Sequence, residues 1–290
     1  GAAVVAFGRT SCGVWHYNES AGASGFPFSP GNALTVGCIG AGTVIQAPII
    51  TPSLVTDTIC WAAADYQGTY AGIVMLDGDT PRKISHTGVD RDFAAVSDPS
   101  TITSCAWTSA GHAYVAWTLP GVTTWIYDTA TQLWHERQSY GLDHWMVGCT
   151  TALNGRVVAG NRASPDLYFI DPDAGDEDGE HLVMTAQTPT AHNFPNYASF
   201  GAVYLDCATG VGLNTPSVPA TLDPVVSMSM SRDMQNWGTE LSRALGRLGD
   251  TKKRIAWHGL GSVDHRGASF RFRASAAVVR SFQQAMVDVR

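Results

Sequence analysis

Short apolar runs separated by turn residues recur along the first two thirds of the chain, and that rhythm limits the fold more than any single motif. Ala2–Phe7, Cys12–Tyr17, Thr43–Ile50, Thr58–Ala63, Ala71–Asp77, Ser104–Ser109, Ala113–Leu119, Thr123–Asp128, Gly155–Gly160 and Asp166–Asp171 are rich in β-branched and aromatic residues. Gly, Pro, Asn and Asp punctuate them, a pattern of strands and tight turns. Helical periodicity is nearly absent before residue 238. The 290 residues allow one large all-β domain or two smaller ones.

A longer repeat overlies the short one. Residues 57–85, 103–137 and 147–173 each give an apolar strand, a polar turn with Gly, a second strand, another turn and a strand ending near Asp. Trp61 and Trp107 are 46 residues apart, and Cys105 and Cys149 are 44 apart. Periods of this size predict four-stranded, β-propeller-like blades. The expected organisation is blades over 1–200, a Gly/Pro/Thr connector over 201–223, and a β-rich segment over 224–290. The chain opens directly on a strand, so an N-terminal portion that would complete the propeller is expected to be missing. Three strands are predicted in the last segment, Val225–Ser231, Lys252–Gly261 and Ala268–Ser275, with a short helix or helical turn over Glu240–Gly249.

Local signals sharpen the β reading. Asn154-Gly155 predicts a type I′ hairpin. Thr124–Arg137 reads as strand, turn, strand: Trp125 and Tyr127 share one face, and Asp128 can accept from backbone N–H groups two or three residues on, closing a turn over Asp128–Thr131. The pair of aromatic strands reads as wall more readily than as sugar platform. The six cysteines, Cys12, Cys38, Cys60, Cys105, Cys149 and Cys207, form no CxxC pair, and most sit in apolar strand contexts. They are expected to be buried free thiols in a chain assembled in the cytosol. No apolar run approaches the roughly 18 residues that cross a bilayer, and no leader is expected.

Charge is uneven. Residues 1–223 hold 7 Lys+Arg and 20 Asp+Glu, net −13, while 224–290 hold 11 and 5, net +6. An acidic body argues against a grip on nucleic-acid phosphates. The basic segment supplies the candidate interface: Lys252, Lys253, Arg254, Arg271 and Arg273. In "FRFR", Phe270 and Phe272 fall on one strand face and Arg271 and Arg273 on the other, so one face would pack and the other meet acids on a neighbour.

Catalytic constellations are thin. Asp65, Asp90, Asp92 and Asp143 could serve glycoside hydrolysis only if they converged. Nine histidines lack ligand spacing, and His112 and His144 fall near turns. No nucleophile elbow, phosphate loop or dinucleotide fingerprint is present. Asp171, Asp173, Asp176, Asp178 and Glu180 lie around Gly175 and Gly179; such a loop can hold calcium, but the spacing departs from an EF-hand and a solvated turn is the stronger reading. "SRDMQNW" (Ser231–Trp237) resembles the Asp-box turn of sialidase-type propellers without its Gly. No catalytic residue, metal or cofactor is assigned.

These stretches together resemble the packaged-DNA stabilisation, or tail nozzle, proteins of short-tailed bacteriophages. The resemblance is carried in order by Phe7–Pro30, Thr124–Ser139, Gly155–Leu182, Tyr204–Leu213 and Ser227–Gly261. Gln235 stands where that family has a turn Gly, and His258 where Arg is common. The resemblance implies a virion protein: a hexameric ring below the portal and its adaptor ring, extending the channel and seating the plug or needle protein that retains packaged DNA. Double-stranded DNA would pass without specific binding, and the ring would assemble in the host cytoplasm. A carbohydrate-binding or glycan-cleaving propeller, and a free-standing interaction propeller, are the alternatives.

Overall fold

The computed structural model describes residues 3–20, 27–51, 54–214 and 218–289. Phe26 of the Phe-Pro-Phe loop and residues 215–217 of the expected connector lie outside them. The chain is nearly all-β and divides into two compact units, Gly1–Pro172 and Asp173–Arg290.

The first unit is a run of antiparallel sheets, propeller-like and without barrel closure. Sheet I pairs Ala3–Phe7, Cys12–Tyr17 and Phe28–Leu34. Sheet II joins Gly37–Cys38, Ile45–Thr51, Leu54–Ala64, Tyr70–Asp77 and Thr80–Lys83. Sheet III is a four-stranded meander of Thr103–Ser109, His112–Leu119, Thr123–Asp128 and Leu133–Arg137. Sheet IV pairs Val147–Leu153, Arg156–Asn161 and Leu167–Ile170. The repeat therefore persists while strand number varies.

Side-chain alternation explains the stacking. Cys12, Val14 and Leu34 of sheet I pack on Trp61, Ala63 and Val74 of sheet II. The other face of sheet II, with Cys60, Ala62, Ile73 and Met75, packs on Val115, Trp117, Trp125 and Tyr127 of sheet III. The opposite face of sheet III, with Cys105, Trp107 and Ile126, packs on Val147 and Ala159 of sheet IV, together with Trp145. Each central sheet is thus buried on both sides, which is why its strands read as continuous apolar runs.

The unit also holds an α-helix, Thr87–Ala95, which the strand rhythm did not predict. His86 caps it by accepting from Gly88 N at 3.1 Å, and only Val89 and Phe93 on it are buried. Lys83 Nζ lies 2.7 Å from Asp90 Oδ2, and Tyr70 and Ser85 hydroxyls donate to Asp90 Oδ1 at 2.9 and 2.6 Å, tying the helix to sheet II. Burial alone would raise the Asp90 pKa, but these bonds and the Lys83 charge hold it below the usual carboxylate range.

The second unit is a two-sheet sandwich. One sheet has the order Met184–Gln187, Ser269–Ala274, Val225–Ser231, Leu241–Ala244. The other has Ala198–Cys207 between Ile255–Val263 and Phe282–Val289. Phe270 and Phe272 meet Phe200, Val203 and Trp257 in the core. The boundary expected at residue 200 falls inside strand Ala198–Cys207, which pairs only with later strands. Leu241–Ala244 is a strand and not the expected helix, because it completes a ladder with Val225–Met228. With the division at 172, the basic segment shares its unit with the acidic stretch: residues 173–290 hold 11 Lys+Arg and 12 Asp+Glu, net −1.

Candidate interaction surface

The Thr124–Arg137 hairpin forms as its residues dictate. Asp128 Oδ1 accepts from Ala130 N at 2.9 Å, Oδ2 accepts from Thr131 Oγ1 at 2.7 Å, and His112 Nδ1 lies 2.8 Å from Oδ2. Burial would raise the Asp128 pKa; these bonds outweigh it and lower it. Trp125 and Tyr127 are buried, and Tyr127 and Trp134 have ring centroids 4.9 Å apart. Trp134 Nε1 donates to Ile84 O at 2.9 Å, and Trp125 Nε1 to Asp92 Oδ2 at 3.2 Å. The aromatics are wall: they join sheet III to sheet II and to the helix.

The four sequence-selected carboxylates have separate local partners. Asp65 accepts from Gln67 N and Thr69 N in a turn. Asp90 tethers the helix. Asp92 accepts from Trp125 and Arg91. Asp143 contacts the neighbouring His144. The sequence reading missed Glu136, whose pKa is pushed up by burial first and then by nearby Asp92. Glu136 faces Trp125 across the ladder, so a contact between helix and sheet, invisible in sequence, brings it there.

The cysteines are free, and Cys12, Cys60 and Cys105 are buried. Burial pushes the Cys60 and Cys105 thiols up to about 12. Cys149 is exposed, a correction to the expectation of buried thiols, because it lies beyond the bulge at Val147–Cys149.

In the second unit the candidate basic residues are largely engaged within the chain. Phe270 and Phe272 are buried and Arg271 and Arg273 lie on the opposite face, as alternation predicts. The Arg271 guanidinium sits 4.3 Å from the centroid of Trp237, and Arg273 Nη1 donates to Glu240 Oε1 at 3.0 Å. The segment carrying Trp237 and Glu240 thus folds back over this face. Asp233 holds that segment: its Oδ1 accepts from Gln235 N and Asn236 N at 2.9 and 2.7 Å, which depresses its pKa. The left-handed residue of this Asp-box-like turn is Met234 (φ 60°), not Gln235. Arg254 lies 4.4 Å from the centroid of Tyr204, and Lys253 Nζ is 3.6 Å from Asp250 Oδ2. Lys252 is exposed and has no partner among the described residues.

The acidic stretch forms a hairpin, Asp176–Glu177 against Glu180–His181, turned by Asp178-Gly179. Arg280 fastens it by donating to Gly175 O at 3.2 Å and to Leu182 O. Gly175 packs so closely that a Cβ there would lie 2.6 Å from Ala277 Cα. Arg280→Ala is expected to release the hairpin, raising amide exchange about tenfold over 174–183, the effect of losing about 1.4 kcal/mol of local stability. Unchanged exchange there would contradict the role assigned to Arg280.

Large apolar side chains remain uncovered on both units. Leu133, Leu153, Leu167 and Tyr66 are exposed on the first, and Phe194, Tyr197, Leu248 and Met286 on the second.

The second unit is therefore a β-sandwich domain. Residues 184–290 match the family model described as "Bacteriophage P22 Gp10, beta-sandwich". The match supports a relationship of this part of the chain to bacteriophage tail-related proteins, and it agrees with the two packed sheets observed. No curated protein matches the chain. Among solved structures, the exo-β-1,3-galactanase of Phanerochaete chrysosporium with galactose is similar at 11% identity and a TM-score of 0.28, over 98% of this chain and 80% of that one.

Proposed function

We propose that the protein is a structural component of a bacteriophage tail, its copies forming a ring-shaped nozzle that extends the portal channel and helps retain packaged DNA. The observation that carries this reading is the match of the sandwich, residues 184–290, to the phage domain. The exposed apolar residues on both units support a chain that works in an assembly. The role is geometric: rigid sheets form a wall, adaptor proteins hold one end, and a plug or needle closes the other. The residues 1–172 carry 7 Lys+Arg and 13 Asp+Glu, which disfavours tight binding of the DNA that passes.

Native mass spectrometry of the purified chain, alone and with portal and adaptor rings, tests this. The expected product is a closed ring, hexameric by the family resemblance, appearing at the latest on addition of those partners. A chain that stays monomeric in every mixture would overturn the reading. Lys252→Glu probes docking most cleanly, since that side chain is engaged with nothing within the described residues. The expected effect is slower assembly at low salt, with the fold unchanged.

A further inference from the structure

The first unit contains a cleft of about 570 Å³ that the proposed tail role does not use. Its volume falls within the roughly 300–1,000 Å³ of small-molecule sites. Tyr70 and Phe93 are among its lining residues, with Tyr70 stacked on buried Phe93 at 5.3 Å and 12°. Arg9 and Asp98 are also among its lining residues.

Arg9, with Arg82, differs from the other basic residues of its unit in lacking a hydrogen-bond, ion-pair or ring partner among the described residues. In a unit with an excess of carboxylates, Lys83 and Arg91 pair with acids, Arg162 donates to Thr103 and to Thr101 O, and Arg137 and Arg156 lie over rings. The Arg9 guanidinium has no partner among the described residues. It is nevertheless placed. Gly37 packs directly on the Arg9 backbone, and the side chain lies over Gly68, where a Cβ would stand 2.9 Å from Arg9 Nε. Gly68 also has φ +77°, so the turn that admits the arginine requires glycine twice over. Asp98 has one occupied oxygen: Oδ1 accepts from Ser100 N and Ser100 Oγ at 3.0 and 2.7 Å, which lowers its pKa and keeps it ionised. Its Oδ2 accepts from no described group.

We propose that this cleft binds a neutral saccharide unit. A sugar ring carries adjacent hydroxyls that accept from a guanidinium and donate to a carboxylate, and its C–H face suits an aromatic wall. A sugar acid would gain at Arg9 and lose at Asp98, so the neutral ring is favoured. This reading does not depend on ring assembly, and its test is separate from that of the tail role.

Ligand-observed saturation-transfer NMR on the full chain tests it, with maltotriose, laminaritriose, mannotriose and galactobiose as probes and a glucuronic-acid disaccharide as the anionic control. Millimolar binding of at least one neutral probe is expected. Arg9→Met keeps the stem over Gly68 and should weaken binding about tenfold, as loss of a charged hydrogen bond does. Asp98→Asn preserves the cap on Ser100 and should weaken it similarly. Ala94→Trp plugs the cleft from an exposed helix position and should abolish binding while the melting temperature holds. No neutral probe bound by the wild type, binding only of the sugar acid, or binding unchanged in folded Ala94→Trp would each overturn the proposal.

Discussion

Replacing Trp117 with Ala is expected to destabilise the first unit by about 4 kcal/mol, the range for removing a large buried aromatic side chain. Trp117 is 0% exposed and stands between sheets II and III. Its Nε1 donates to Thr43 O at 2.9 Å, and its ring lies 5.6 Å from that of Trp134. The truncation therefore opens a cavity, orphans a buried carbonyl and removes one side of an aromatic cluster. Trp117→Phe should cost less, about 2 kcal/mol, since most of the ring stays and chiefly the hydrogen bond goes. Urea unfolding read by hydrogen exchange within residues 3–172 measures both. A loss under about 1 kcal/mol for the Ala variant would mean that the two sheets do not depend on this contact.

Asp128→Ala is expected to cost about 2–3 kcal/mol, because it leaves the turn N–H, the Thr131 hydroxyl and His112 without their acceptor. The same carboxylate sets a pH dependence. Its folded pKa is depressed, so the stability it contributes is complete above the ordinary carboxylate value, about 3.9, and is lost as pH falls through the lower folded value. Asp90 acts in the same direction. The wild type should therefore lose stability between neutral and strongly acid pH, and Asp128→Asn, which cannot titrate there, should lose less of it. Parallel urea midpoints for the two proteins across that range would remove Asp128 from the acid response.

Much of the strand content of the first unit was legible because most strands announce themselves locally; Phe28–Leu34, interrupted by Pro30 and Gly31, did not. Asn154-Gly155 turns as its type requires, with φ 50° and 76°, and Asp128 closes the turn its position suggests. Phe270 and Phe272 fall on the core face by alternation alone. The helix Thr87–Ala95 was not legible, since Val89 and Phe93 are its only buried residues and its stability comes from the Lys83, Ser85 and Tyr70 contacts to Asp90. Leu241, Leu245 and Leu248 are spaced as on a helix, yet pairing with Val225–Met228 decides the conformation of Leu241. Tertiary ladder formation overrode local periodicity there. The division at 172 was hidden because strand rhythm runs through it; what separates the units is which strands pair. The basic face was readable as a face, but not that Trp237 and Glu240 of the same chain cover it. The cleft was invisible, because Arg9 and Asp98 are far apart in sequence and neither belongs to a motif.

Among the described residues, three hairpins end in paired left-handed residues: Ala110-Gly111, Asn154-Gly155 and Asp178-Gly179. At each glycine a Cβ would meet nothing within 4 Å, so the tips stand clear of their surroundings. This makes them attachment points for visible markers. A short tag or fluorophore spliced at Asn154-Gly155 would report the first unit, and one at Asp178-Gly179 the second, without touching either core. In images of an assembled particle, the two markers would give the radius and height of each unit independently, and their number around the axis would count the copies.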